Sequence, residues 1–201
     1  GARVLITSST VEYNDVYVGT IESIDPTSGQ VTLTEHIVDE DKVISLADDL
    51  ITGVEVALLT RNIIFRAEEN VYNPDIGGHL IFLHTPNVVQ TLMGVEFNNF
   101  GQQGNLGRYP IHFHMSNSVA GSIVKKNLII NSNQRCIVIH NSNDVLISEN
   151  VAYETHGHCF ILEDGSEQNN QFIRNLGAVT RAVQTLISDA ESDNIPSTFW
   201  I

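Results

Sequence analysis

Seven of the eight histidines lie between His79 and His158. Neutral imidazole is a strong ligand for zinc, copper and nickel, and histidine is the side chain most often used as a general acid or base. His112 and His114 are separated by one residue, so a strand would present both on one face. For a site to form there, His84, His140 and Glu163 must be carried alongside from elsewhere in the chain. The element that stacks those segments therefore decides whether any chemistry is available.

The sequence repeats in that region. Three successive stretches align: HFHMSNSVAGSIVKKNLIINSNQR, CIVIHNSNDVLISENVAYETHGH and CFILEDGSEQNNQFIRNLGAVTR. An earlier stretch, HLIFLHTPNVVQTLMGVEFNNF, fits the same frame with the insertion GQQGNLGRYP before the next coil. Short β-rich runs at a period of about 20–30 residues, punctuated by Asn, Gly and Ser, predict a right-handed parallel β-helix. Asn62, Asn127, Asn150 and Asn175 form one column, interrupted by Glu96, and are expected to hydrogen-bond along the stack where the chain turns.

Alternation along each strand then assigns faces. The columns Leu83, Phe113, Ile139, Leu162 and Ile81, Ile111, Ile137, Phe160 are apolar throughout and point inward. The outward columns are Phe82, His112, Val138, Ile161 and His84, His114, His140, Glu163. Coils stack about 4.8 Å apart, so the second outward column is a contiguous ladder of three imidazoles and a carboxylate, with His112 beside it. The expected metal ligands are His84, His112, His114 and His140, holding a divalent zinc, copper or nickel ion. A polar stripe on a solvated or partner-covered sheet fits the same pattern. His36, His79, His156 and His158 are read as structural.

The first 50 residues differ in texture. VLITSS, DVYVGTIESI and QVTLTEHIV read as antiparallel strands, with a hairpin turn at Pro26, Ser28 and Gly29. We therefore divide the chain into a β-rich segment, 1–54, and a β-helix, 55–201. Asp39, Glu40, Asp41, Asp48 and Asp49 form an acidic stretch that is either a solvated loop or a calcium-binding one. A helical period is visible only at Arg181 to Glu191. Cys136 and Cys159 occupy equivalent outward positions in adjoining coils, compatible with a disulfide or with two free thiols.

Composition narrows the partners. Ten Lys plus Arg against 24 Asp plus Glu leave a net charge of −14, which disfavours nucleic acid as a partner. No apolar run reaches the roughly 18 residues of a membrane span. Between His84 and Leu162, however, four acids (Glu96, Asp144, Glu149, Glu154) meet four bases (Arg108, Lys125, Lys126, Arg135), so the histidine face does not itself repel an anion.

The runs GRYPIHFH (Gly107 to His114), NFGQQGNLG before it, HGHCFILEDG (His156 to Gly165) and EVALLTRNI (Glu55 to Ile63), with the closing PSTFWI, together resemble the extracellular TMEM2/CEMIP/fibrocystin-like family of G8-associated parallel β-helix proteins. The resemblance runs from about Glu55 to the last residue. It implies a parallel β-helix that follows a G8 module not recognisable here, in a protein that is secreted or anchored at the cell surface. Family members include hyaluronan-degrading proteins and others with no agreed activity. The implied partner is thus a polysaccharide or another extracellular protein.

Cleavage of a glycan needs a positioned acid and base. The expected catalytic set is His114, His140 and Glu163, with Arg108, Arg135 and Asp164 binding substrate. An Arg with a histidine base would suit elimination from a uronic acid. The alternative is a non-catalytic assembly module, because the outward apolar column of Phe82, Val138 and Ile161 requires a cover from missing parts of the chain, a second subunit or a ligand.

Overall fold

The computed structural model describes residues 1–8, 12–35, 54–85, 87–187 and 191–201. The acidic stretch from Asp39 to Asp49 and His36 lie outside the described residues. The chain divides into two compact units, Gly1–Thr60 and Arg61–Ile201.

The first unit is a four-stranded antiparallel sheet. Strands β1 (Arg3–Thr7), β2 (Val16–Ile24), β3 (Val31–Leu33) and β4 (Val56–Leu58) are ordered β3-β2-β1-β4. The β2–β3 turn forms where the sequence places it: Asp25 Oδ1 accepts the Thr27 amide at 2.8 Å, and Gly29 takes the left-handed conformation (φ 75°). Because Val56–Leu58 pairs with β1, the division falls after Thr60 rather than after residue 54.

The second unit is a right-handed parallel β-helix. Its strands in chain order are β5 (Ile63–Arg66), β6 (Ile81–Phe82), β7 (Thr91–Met93), β8 (Val95–Asn98), β9 (Ile111–Ser118), β10 (Ile123–Lys125) and β11 (Leu128–Ser132). There follow β12 (Ile137–Asn143), β13 (Leu146–Ser148), β14 (Val151–His156), β15 (Phe160–Leu162), β16 (Gln171–Ile173), β17 (Leu176–Arg181) and β18 (Phe199–Trp200). Every third strand is a neighbour, giving three sheets ordered β16-β13-β10-β7, β17-β14-β11-β8-β5 and β18-β15-β12-β9-β6. Ile111, Ile137, Phe160, Phe113 and Ile139 fill the interior with Phe97, Ile129 and Ile147. No helix among the described residues is long and apolar enough to cross a membrane.

Asn127, Asn150 and Asn175 act as expected at the corner, whereas the pairing of Ile63 with Val95 and of Glu96 with Leu128 puts Asn62 one residue out of their column. Asn127 Nδ2 donates to Asn150 Oδ1 and Asn150 Nδ2 to Asn175 Oδ1, each at 3.0 Å. The same side chains bond backbone carbonyls of Leu92, Val124 and Ile147. The coil below is met by Val95, whose amide donates to Asn127 Oδ1 at 3.1 Å, and not by Glu96.

Four expectations are corrected. The strands β6 and β9 pair Ile81 with His112 and Phe82 with Phe113, one residue from the expected register. A one-residue slip exchanges the faces of every side chain in that coil, so Phe82 packs inward on Phe113 (ring centroids 4.6 Å) and Leu83 is exposed. Second, Cys136 and Cys159, which do form the disulfide that is one of their two expected states, belong to the interior cluster and not to an outward column. Third, Val138 and Ile161 are not an uncovered face: Tyr109 and Ile187 of the same chain bury them. That removes the observation that favoured an assembly contact there. Fourth, residues 182–187 are not helical. The four-residue spacing of buried Val183 and Ile187 arises instead from a strap over the sheet, whose Gln184 and Thr185 amides are bonded by Gln103 Oε1.

Candidate functional site

His112, His114 and His140 converge because β9 and β12 are in register, pairing His114 with His140 and His112 with Val138. Both strands bend immediately after the histidines, where Met115 (φ 48°) and Asn141 (φ 43°) take left-handed conformations. His114 and His140 therefore stand at the last flat positions of their strands. The next coil supplies Glu163 and Asp164 directly after β15. The insertion folds back over this edge, so that Leu106 and Gly107 complete a pocket of about 220 Å³ with His112, His114, His140, Glu163 and Asp164.

His112 is buried, at 1% exposure, against the Tyr109 ring. Its Nδ1 lies 3.0 Å from the Gly107 carbonyl oxygen. A carbonyl only accepts, so the ring proton sits on Nδ1 and Nε2 carries a bare lone pair. Gly107 adopts φ 78°, a conformation open to glycine without penalty. Nε2 is buried with no hydrogen-bond partner among the described residues. Burial is the foremost reason that the His112 pKa is pushed down to about 4, and the neighbouring His114, His140 and Arg135 add to it, against the opposing Gly107 carbonyl. The ring is therefore neutral, as a metal ligand must be.

His114 Nδ1 and His140 Nδ1 approach to 3.1 Å. Two such nitrogens meet either as donor and acceptor or as two lone pairs on one cation. Ligand atoms of His112, His114 and His140 all lie within 4.8 Å of one another. Ligands sharing a tetrahedral ion at about 2.1 Å stand roughly 3.4 Å apart, so the closest pair already has that spacing and His112 needs a modest shift. His140 Nε2 faces Asp164 Oδ2 at 3.4 Å, the kind of carboxylate that orients a ligating imidazole.

Beneath the pocket is an anchored carboxylate. Glu163 Oε1 accepts from the Tyr109 hydroxyl at 2.9 Å and from the Arg135 guanidinium. Its Oε2 faces His140 Nδ1 at 3.4 Å and His112 Nε2 at 3.9 Å. Burial raises the Tyr109 pKa well above the ordinary phenol value, which keeps the hydroxyl a donor. Arg135 is 3% exposed; its Nε lies 3.3 Å from Asp193 Oδ2 and its cation lies over the Tyr109 ring. A buried guanidinium between two carboxylates satisfies the requirement that interior charges be paired.

Of the residues singled out from sequence, the structure brings together His112, His114, His140, Glu163 and Asp164. His84 is not among them: the register slip takes it out of the ladder, and its Nδ1 bonds the Ser116 carbonyl at 2.9 Å. Arg135 lies under the site and reaches it only through Glu163, so it does not offer a surface for substrate. Arg108 is exposed on the insertion, its guanidinium 3.1 Å from His79 Nε2. His156 Nδ1 bonds the Ser132 carbonyl, and both ring nitrogens of His158 are occupied by Ser192 and Ser197. Tyr109 and Asp193 were not singled out. Tyr109 sits in the quoted GRYPIHFH run, whereas nothing in the sequence links Asp193 to Arg135, 58 residues away.

A larger depression of about 570 Å³ is bordered by Arg66, Glu68, Glu69, Asn98, Asn99 and Asn131. Its asparagine amides are spent on one another, on backbone and on Glu96, as in Asn131 Nδ2 to Asn98 Oδ1, Asn99 Nδ2 to Ala67 O and Asn98 Nδ2 to Glu96 Oε1. It gathers no imidazole, and the smaller pocket is the one with convergent chemistry.

The fold and the pocket define a parallel β-helix protein with a histidine and carboxylate centre on its outer face. The chain belongs to the CEMIP beta-helix family, which matches residues 75–201. It is 36% identical over 163 residues to the cell surface hyaluronidase CEMIP2 of Homo sapiens, a match covering 70% of this chain and 12% of that protein. It is 37% identical over 162 residues to a cell surface hyaluronidase of Danio rerio, covering 72% and 12%. A G8 domain-containing protein of Dictyostelium discoideum is 37% identical over 131 residues, covering 65% and 11%. The chain thus spans about a tenth of the length of these relatives.

Proposed function

We propose that this β-helix recognises or processes an extracellular polysaccharide of the hyaluronan class in the pocket of His112, His114, His140, Glu163 and Asp164. The pocket would work with a divalent transition metal, zinc, copper or nickel, held by the three histidines. The carrying observation is the buried, unpartnered Nε2 of His112, aimed beside two further imidazole nitrogens over an anchored carboxylate. Support for the substrate class comes from the names of the relatives, cell surface hyaluronidases, and from the exposed cation of Arg108 on the segment that borders the pocket. The Cys136–Cys159 disulfide suits an oxidising, extracellular or cell-surface compartment.

The test is hyaluronan size analysis and oligosaccharide binding with the chain loaded with zinc, copper or nickel, or treated with chelator. Binding or shortening that disappears in a His114→Ala/His140→Ala double variant of unchanged circular dichroism is expected. If the parent neither binds nor shortens the polymer under any of these loadings, the reading fails.

A further inference from the structure

We propose that Glu163 stays outside the coordination sphere of the three-histidine centre and holds a water molecule in its fourth position, which makes the centre hydrolytic. The inference rests on the metal assignment above and goes beyond it by giving the site an open position and a proton acceptor.

Three observations carry it. The set of mutually close ligand atoms among the described residues contains His112, His114 and His140 and no carboxylate. A three-histidine set leaves one tetrahedral position for water, the arrangement of catalytic rather than structural zinc. Next, the Glu163 carboxylate is divided in its duties. Oε1 is tied by Tyr109 and by Arg135, and Arg135 is itself buried and tied to Asp193. Moving this carboxylate further towards a shared ion would pull Oε1 away from a buried guanidinium and a buried hydroxyl, so the anchor holds it back. Finally, among the described residues Oε2 has only the histidine nitrogens before it, at 3.4 and 3.9 Å. A water on the metal would lie between and donate to Oε2.

The chemistry balances without further reactants. With p-nitrophenyl acetate as probe, the oxygen of the held water bonds to the acyl carbon while one of its protons passes to Glu163 Oε2. The bond from that carbon to the p-nitrophenolate oxygen then breaks, leaving acetic acid and p-nitrophenolate, and Glu163 returns its proton to solvent. The probe is not a glycan, so its hydrolysis reads the metal and water separately from polysaccharide binding.

The experiment uses the full chain loaded with zinc. The parent should bind zinc near one equivalent and hydrolyse p-nitrophenyl acetate faster than zinc alone. Glu163→Gln should keep its zinc and lose roughly 100-fold or more of the rate, the usual reach of a general base. Loss of zinc in Glu163→Gln at intact circular dichroism would make Glu163 a ligand and overturn the proposal, as would an unchanged rate. Should Glu163→Gln fail to fold, cobalt-substituted parent decides the matter. Azide should alter its visible spectrum by taking the open position, and a spectrum indifferent to azide overturns the proposal. A parent that binds no zinc or cobalt ends both this inference and the metal part of the proposed function, whereas hyaluronan binding without ester hydrolysis ends this inference alone.

Discussion

His112 and His158 are both buried histidines near a carboxylate, yet they are built to opposite ends. His158 Nδ1 accepts the Ser197 amide at 3.0 Å, its Nε2 meets Ser192 Oγ at 3.1 Å, and its ring lies on Trp200. Every polar atom is used, and the residue ties β18 and the Glu191–Asn194 turn to the sheet. His112 has one nitrogen fixed by Gly107 and the other left unpartnered. An unmet buried polar atom is costly, so the first arrangement is what stability favours and the second is what a ligand site retains. Arg135 joins the two regions, with Glu163 on one side and Asp193 on the other.

The largest effect is expected from cutting that joint. Arg135→Ala leaves the buried Asp193 and the partly buried Glu163 without their cation and should lower stability by about 3–5 kcal/mol in urea unfolding. A loss below about 1 kcal/mol would mean the two regions are not coupled through it. Acid should come next. In chelator-treated protein, the His112 imidazole titrates near its ordinary 6.5 when unfolded and at about 4 when folded. The unfolded chain therefore takes up the proton first: this contribution is intact above pH 6.5 and is lost as pH falls towards 4. The loss is on the order of 3 kcal/mol. The His158 pKa is also lowered, chiefly by burial, so the measurement is the difference between the parent and His112→Gln unfolding curves across that window. A difference independent of pH would show that His112 is not held neutral.

His158→Ala should cost about 1–3 kcal/mol through the unmet Ser197 amide while zinc binding stays unchanged; loss of zinc would break the contrast. The smallest stability effect belongs to His114→Ala, expected below about 1 kcal/mol because the ring is only partly buried and bonds no backbone. That variant should nonetheless lose its metal by elemental analysis.

Much of the site was readable because β-helix coils convert sequence period into spatial columns. Once HFH, VIH and ILE (residues 161–163) are aligned, His114, His140 and Glu163 must stack, and the disposition of β9, β12 and β15 agrees. The same argument failed for His84. The ten residues of GQQGNLGRYP interrupt the period between β6 and β9, and the alternation of apolar residues around Leu80 to Leu83 fits either face. Packing of Phe82 on Phe113 selected the register, and that is a contact between segments and not a property of either. Likewise the apolar outward column announced a need for cover, but the identity of the cover, Tyr109 and Ile187, follows from how the insertion and the strap fold back.

The sequence by itself determined the period, the asparagine corner and the residue types of the inner and outer columns, because these are local preferences repeated at fixed intervals. Only the tertiary structure decided which histidine nitrogen is free, which carboxylate oxygen is spent, and that Arg135 lies beneath the site. Those depend on hydrogen bonds between residues as far apart as Arg135 and Asp193 or Tyr109 and Glu163, whose pairing no spacing rule along the chain encodes.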